Sequence, residues 1–299
     1  MLTFRYLSTV SFIILLFLPG LSGETVRVAT LNLQNYLIMD RMVEGRWRPD
    51  YPKPEVEKAA LREAIQQADA DILVLQEMGE APFLKELQGD LELEGLVYPH
   101  AYFAEANDAV RHVAVLSKRA AMEVIVHKDM DFKYFDSREL VKRGLFELSF
   151  EDTEGEIFKV FGVHLKSRWS DVKADPMSEL RRTREAEACR DRMIERTYDL
   201  GVNRFLVAGD FNDEPDSGVF RRFTKRGDLE ISDFIRAKDS RGEVWTHFYA
   251  KKGAYTLVDG FFLSSDLMDA LVVDSATIKD WDSEQAGSDH RLVYLDLDL

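Results

Sequence analysis

Cysteine is nearly absent from this chain: Cys189 stands alone in 299 residues, so no intramolecular disulfide can brace the fold in any compartment. Stability has to come from a packed core. Cys189 follows Ala188 in a stretch of helical composition and has no thiolate-stabilising setting, so it reads as a small buried side chain and not as a nucleophile. Histidine is also scarce, with six residues, and no two of them form a paired motif at helical spacing. With cysteine missing as well, zinc is disfavoured. An excess of positive charge is lacking too: the net charge is −15, the wrong sign for a protein that grips nucleic acid through bulk charge. This argues against tight, metal-free, non-specific binding, but divalent cations at a carboxylate cluster can reverse the local field, so a nuclease is not excluded.

No apolar run reaches the roughly 18 to 20 residues that span a bilayer. The longest, Val10 to Leu18, is short and interrupted by Ser11. With Arg5 before it and Pro19-Gly20-Leu21-Ser22-Gly23 after it, residues 1–23 read as a cleaved export signal, and the protein as secreted or periplasmic. No cysteine lies near the cleavage region, so a lipoprotein linkage is not expected. Long Gly/Ser/Pro linkers, internal repeats and low-complexity tracts are missing as well, so one domain is expected from Glu24 to Leu299.

What is present is an alternation of short apolar runs with helix-like segments. Val26 to Leu31, Ile72 to Leu75, Val113 to Leu116, Phe158 to Val163, Phe205 to Ala208, Val258 to Leu263 and Leu292 to Leu295 have the length and β-branched content of buried strands. From Pro54 to Ala68 apolar residues recur at three- and four-residue steps, which predicts an amphipathic helix. The Arg- and Glu-rich segment Ser178 to Leu200 predicts a second helix, lying on the surface and ended by Gly201; Arg181, Arg182 and Arg184 on it read as solvated charge.

Polar residues cluster at the ends of these strands. Phe205-Leu-Val-Ala-Gly-Asp210-Phe-Asn212-Asp-Glu-Pro215 delivers a carboxylate and an amide two positions apart, which share a face if the strand continues; the competing reading is an Asx-type turn. Asp71-Ile-Leu-Val-Leu-Gln76-Glu77 ends another strand in a carboxylate, an oxygen ligand suited to magnesium, manganese or calcium. Gly287-Ser-Asp289-His290-Arg291 places an acid and an imidazole just before the last strand. In such company an imidazole can be held protonated, ready to neutralise or protonate a phosphoryl oxygen. His164 ends the Phe158 strand next to Lys166 and Arg168. His100, His112, His127 and His247 lack that combined context. Strand ends are fixed by their sheets, so residues carried there can converge on one cleft.

These stretches, from Thr30-Leu-Asn32-Leu-Gln-Asn35 to Ser288-Asp289-His290, stand in the order of the endonuclease/exonuclease/phosphatase superfamily, and the chain resembles that superfamily over essentially its whole length beyond residue 23. The resemblance implies an α/β (α+β) fold: a four-layer sandwich of two packed, mainly antiparallel β-sheets flanked by helices, deoxyribonuclease I-like, with a magnesium-type cation (manganese and calcium being alternatives) in the cleft between sheet edges. It also implies roles. Glu77 would be the principal metal ligand, aided by Asn32, and Asp289 a metal ligand or a carboxylate supporting one. Asp210 would orient or deprotonate the attacking water, Asn212 position the phosphate, Asp259 support the imidazole or a metal, and His290 stabilise the transition-state charge. His164 resembles the histidine of the deoxyribonuclease I and sphingomyelinase branches, where apurinic-site enzymes tend to carry Tyr-x-Pro-x-Gly. Unlike deoxyribonuclease I, the chain has no cysteine pair. Arg111, Arg143, Lys166 and Arg168 are candidates to hold an anionic substrate.

The expected activity is therefore metal-dependent phosphodiester hydrolysis by a monomer outside the cytoplasm, with nucleic acid as the first substrate class. A phosphatase, or a sphingomyelinase-like phospholipase with membrane contact, is the alternative. A catalytically dead binding module would require lost site residues, and none is missing.

Overall fold

The computed structural model describes residues 23–280 and 287–299; the expected export signal, apart from Gly23, lies outside them. Twelve strands build two six-stranded sheets. In chain order they are β1 (Thr25–Tyr36), β2 (Ile72–Met78), β3 (His100–Ala104), β4 (His112–Ser117), β5 (Glu123–His127), β6 (Leu145–Glu151), β7 (Ile157–His164), β8 (Phe205–Asp210), β9 (Asp233–Ile235), β10 (Asp259–Leu263), β11 (Thr277–Ile278) and β12 (Val293–Asp298). The first sheet runs β11-β12-β1-β2-β4-β3 and the second β9-β10-β8-β7-β6-β5. Each contains one parallel pair, β1 with β2 and β7 with β8, and its other pairings are antiparallel.

Alternation along the strands sorts residues between two faces. Val26, Val28, Ile72 and Val74 from one sheet meet Phe146, Leu148, Leu206, Ala208 and Phe261 from the other in an inter-sheet core. Ala29, Leu31, Leu73 and Leu75 point outward, onto α1 (Glu55–Ala68) and α2 (Ala81–Leu93) through Leu61, Ile65, Leu84 and Leu87. Phe161, Val163, Phe205 and Val207 of the second sheet meet α3 (Glu179–Arg196) and α4 (Gly218–Thr224) through Ala186, Met193, Phe220 and Phe223. The expected four layers are therefore present, and both sheets are covered on both faces.

The two helices read from the sequence form nearly where expected. α1 is preceded by Pro54 and ends at Asp69 in the left-handed conformation. α3 stops at Arg196, and the remaining residues Tyr198–Leu200 form a tighter turn closed by Gly201 at φ 70°. The surface reading of α3 needs correction: Arg182, Glu185, Ala186, Cys189, Arg190, Met193 and Ile194 are buried. Arg182, only 2% exposed, is an interior residue and not solvated charge; its Nε donates to Asp213 at 3.0 Å and its Nη1 to carbonyls including that of Lys166 at 3.2 Å. A buried guanidinium of this kind is tolerated because a carboxylate and backbone oxygens take its protons. Cys189 is buried as expected, and burial pushes its thiol pKa upward.

Candidate active site

β1, β2, β7 and β8 finish at the edge where β10 and β12 begin, so six strand termini meet there. Inward-facing parity carries through Val28, Thr30 and Asn32 on β1, through Val160, Gly162 and His164 on β7, and through Leu206, Ala208 and Asp210 on β8. Asp210 is the register partner of His164 on one side and of Asp259 on the other. Two like charges therefore sit directly opposite in a buried antiparallel pair, an arrangement that costs stability and is kept for a use. Gly209 and Gly260, themselves partners at φ 152° and 153°, let these strands approach: a Cβ at 209 would run into the Val163 carbonyl.

Asp210 is buried and fully engaged. Its Oδ1 accepts the Asn212 backbone N–H at 2.8 Å; its Oδ2 accepts the side-chain amides of Asn212 and Asn32, both at 3.0 Å. Asn212 reaches it from a left-handed turn, φ 54°, and not by continuation of the strand, so the shared face expected for positions 210 and 212 is replaced by an Asx-type turn. The Asn212 amide also donates to the Leu165 carbonyl at 3.1 Å. Burial and the facing Asp259 push the Asp210 pKa up to about 7, against the opposing pull of His290 and the donors from Asn212 and Asn32.

Glu77 reaches the cleft by a different route. Ile72, Val74 and Gln76 take the inward positions of β2, so parity alone would turn Glu77 toward the helices. The register slips between Leu75 and Met78, and Glu77 adopts φ 58°, a strained value for a non-glycine residue. The matching bulge on β1 carries Gln34 and Asn35 at φ 47° and 59°, and the Asn35 N–H donates to Glu77 Oε2 at 2.9 Å. Paired bulges of this kind re-aim a side chain; here they bring Glu77 Oε1 to 3.9 Å from His164 Nε2. His164 is buried, with Nε2 3.6 Å from Asp210 Oδ2 and Nδ1 without a hydrogen-bond partner among the described residues. Burial, then the neighbouring Arg143, His290, Arg111 and Lys166, hold its pKa well below the usual value, so it is neutral.

His290 faces this group from the start of β12. Its Nδ1 lies 2.9 Å from Asp259 Oδ2, and its backbone N–H donates to Ser288 Oγ, which in turn donates to the Asn32 carbonyl at 2.7 Å. Burial disfavours the imidazolium, yet Asp259, Asp210 and Asp289 outweigh it and raise the pKa to about 10. The Asp289 carboxylate lies 3.8 Å from His247 Nε2 and 4.0 Å from His290 Nε2. Burial works to raise its pKa, but the neighbouring imidazoles of His247 and His290 hold it below the usual range. His247 escapes a reading along the chain because it arrives from the hairpin His247–Tyr249/Ala254–Thr256 and joins His290 through a lone β-bridge.

The four cationic candidates divide. Arg111 reaches the site edge, with Nε 2.8 Å from Asn35 Oδ1 and 3.9 Å from Glu77 Oε2. Arg143 is buried beside Asp108, 2.8 Å away, and close enough to His164 to lower its pKa. Lys166 donates to Ser167 and Trp169 oxygens and lies over the Trp169 ring; burial and Arg143 lower its pKa to about 8. Arg168 is partly exposed and paired with Glu214 at 3.0 Å, with Asp213 at 3.7 Å.

Oxygen dominates the donor set. Asp210, Asp259 and His290 offer ligand atoms within 4.8 Å of one another, with the Asn32 amide on Asp210 and Glu77 Oε1 3.9 Å from His164 at the border of this group; Asp259 Oδ1 is buried without a hydrogen-bond partner among the described residues. Buried carboxylates facing each other, one with an orphaned oxygen, are suited to a hard divalent cation, so the residues fit one.

The comparisons agree with this geometry. The model of the Endonuclease/Exonuclease/phosphatase family matches residues 29–290. No curated protein sequence matches significantly. Among solved structures, an endonuclease/exonuclease/phosphatase from Bacteroides vulgatus is 18% identical, with TM-score 0.66 over 92% of this chain and 99% of that one. The human Nocturnin catalytic domain, solved with a bound sulfate anion, is 20% identical, with TM-score 0.64 over 91% and 93%. Truncated TDP2 from Caenorhabditis elegans is 17% identical, with TM-score 0.57 over 93% and 99%. These structures share the fold, and the family acts hydrolytically on phosphoesters with a divalent metal. The chain belongs to the endonuclease/exonuclease/phosphatase family.

Proposed function

We propose that this chain is a magnesium-dependent phosphodiesterase that hydrolyses nucleic acid outside the cytoplasm. The observation that carries the reading is the opposition of two groups across one cleft: Asp210, gripped by the Asn32 and Asn212 amides and facing Asp259, and His290, whose Nδ1 lies 2.9 Å from Asp259 Oδ2; burial and Asp259 raise the Asp210 pKa, and the surrounding carboxylates raise that of His290. One can accept a proton near neutral pH while the other remains cationic. Asp210 takes the proton of the attacking water, held in orientation by the Asn32 and Asn212 amides. His290, kept charged by Asp259, offsets the charge that builds on phosphorus and the leaving oxygen. Neutral His164 faces the same pocket, with Nε2 3.6 Å from Asp210 Oδ2. Glu77, with Asn32, would hold the cation, which when bound polarises the phosphoryl oxygen. Arg111, Arg143 and Lys166 support an anionic substrate locally within an acidic protein, and export is supported by the composition of residues 1–23.

A second reading, a sphingomyelinase-like phospholipase, is favoured by one feature. The hairpin Met39–Val43/Arg46–Tyr51, which follows directly on β1, pairs Met42 with Trp47, and both are exposed, 64% and 61%. Such an apolar pair flanked by Arg46 and Arg48 suits a membrane surface. The test is hydrolysis of plasmid DNA, RNA, a phosphomonoester and sphingomyelin vesicles, each with magnesium and with EDTA. Magnesium-dependent cleavage of DNA or RNA is expected. Selective cleavage of sphingomyelin would transfer the assignment to the second reading, and turnover indifferent to EDTA would end both.

A further inference from the structure

We propose that His247, Asp289 and His290 form a second cation site, built for a borderline transition metal such as zinc and distinct from the oxygen-lined pocket around Glu77. The two imidazoles lie side by side, ring centroids 4.5 Å apart at 36°, because a β-bridge joins their backbones. Phe248 N–H donates to the Asp289 carbonyl at 2.9 Å and Arg291 N–H to the Thr246 carbonyl at 2.7 Å, which fixes that bridge from both sides. Each ring is also oriented. His247 Nδ1 meets Thr256 Oγ1 at 3.1 Å, and His290 Nδ1 meets Asp259 Oδ2 at 2.9 Å. Both Nε2 atoms are thereby left toward Asp289, 3.8 Å and 4.0 Å from its two oxygens, and the three ligand atoms lie within 4.8 Å of one another.

An imidazole whose far nitrogen is anchored by a hydroxyl or carboxylate is the usual form of a histidine that binds metal through its other nitrogen. Two nitrogens and one carboxylate oxygen suit zinc over magnesium, which prefers oxygen and retains water. At zinc–ligand distances of about 2.0 to 2.1 Å, tetrahedral ligands stand about 3.3 Å apart. The observed separations close to that value by small side-chain rotations. All three residues are partly exposed, which leaves a path for entry. The cation would occupy His290 Nε2, which already faces Asp289 at 4.0 Å. Because His290 is the residue assigned to the transition state above, occupation of this site inhibits magnesium-supported hydrolysis; this last clause rests on the proposed function.

The test is titration of the full protein with cobalt(II) chloride in excess magnesium, followed by visible absorption, then displacement by zinc chloride. One equivalent of cobalt should give the bands of four- or five-coordinate cobalt, lost on adding one equivalent of zinc. His247→Ala should weaken binding by about a hundredfold, and Thr256→Val, which removes only the anchor of the His247 ring, by about tenfold. Thermal unfolding of both variants checks that they remain folded. Absence of the bands, or cobalt affinity unchanged in His247→Ala, overturns the site. Zinc should inhibit hydrolysis by the parent and spare His247→Ala; equal inhibition of both would place zinc at the Glu77 pocket and overturn the proposal. If no substrate is turned over, the cobalt titration still decides the site, and if only the titration fails, the hydrolase reading stands.

Discussion

Asp210 and Asp259 face each other as register partners in a buried strand pair, so each raises the electrostatic cost of the other. Asp210→Asn keeps the shape and removes the repulsion. The expected outcome is a thermal unfolding temperature in EDTA at or above that of the parent, with hydrolysis slower by at least about a hundredfold; His290→Ala should lose a similar factor. Rate and melting measured together separate this from simple unfolding. Glu147 is the contrasting case, a buried carboxylate outside the site whose partners His127, Lys159 and Arg196 overcome the effect of burial and lower its pKa to about 2. Since the folded value lies below the unfolded value of 4.5, the stability it contributes is present above pH 4.5 and is lost as pH falls toward 2. Glu147→Gln should unfold about 3 kcal/mol more easily at neutral pH and show a flatter acid limb, measured by urea titration across pH. Asn32, Glu77, His164, Asp210 and His290 are legible in the sequence because each follows or precedes a clear apolar strand, whereas Asp259 lies inside one and is singled out only by the family resemblance. His247 and Arg182 are not, because their meaning comes from partners at Asp289 and Asp213, distant in the chain or off the strand pattern.

The strands read from apolar runs are the central ones, buried on both faces and therefore continuous in hydrophobicity. β3, β5, β9 and β11 stand at or next to sheet edges and are short or half-exposed, so their pattern is weak. β6 is hidden from a hydrophobic reading by Glu147, and α2 by Gly89 near its middle, which lowers helix propensity. The bulge that turns Glu77 inward is equally silent, because nothing in Leu75-Gln76-Glu77-Met78 demands a positive φ; the strain, of order 1–3 kcal/mol, is imposed by the pairing around it. Gly209 is the element-level feature with a sharp consequence. Gly209→Ala would place a methyl group against the Val163 carbonyl in the parallel β7–β8 pair, one residue before Asp210 and opposite the strand that ends in His164. The strands must separate where the site needs them close. Loss of activity by at least about a hundredfold, with unfolding at a lower temperature, is expected; a variant with parental activity would show that the β7–β8 spacing does not set the site.

At the scale of the whole molecule, the two sheets repeat one plan, with the parallel pair at the third and fourth positions of each strand order. The site follows the same plan. The second-ranked strands contribute His290 and Asp259, the third-ranked Asn32 and Asp210, and the fourth-ranked Glu77 and His164. Half the constellation therefore belongs to each sheet, and its geometry depends on how far apart the inter-sheet core holds them, not on either sheet alone. Leu206 and Val207 of β8 allow this to be tested within one strand. Leu206 points into the inter-sheet core, whereas Val207 points outward to α3 and α4. Leu206→Ala should cost about 2–5 kcal/mol and let the sheets settle closer, moving Asp210 relative to Glu77 and His290. Val207→Ala should cost stability on the helix side and leave the sheet spacing alone. Assayed at a temperature where both variants are fully folded, Leu206→Ala should lose at least about tenfold in turnover because misplacements of about 1 Å are expensive, while Val207→Ala should stay within about twofold of the parent. Equal losses in both would mean that the site responds to global stability and not to the separation of the two sheets.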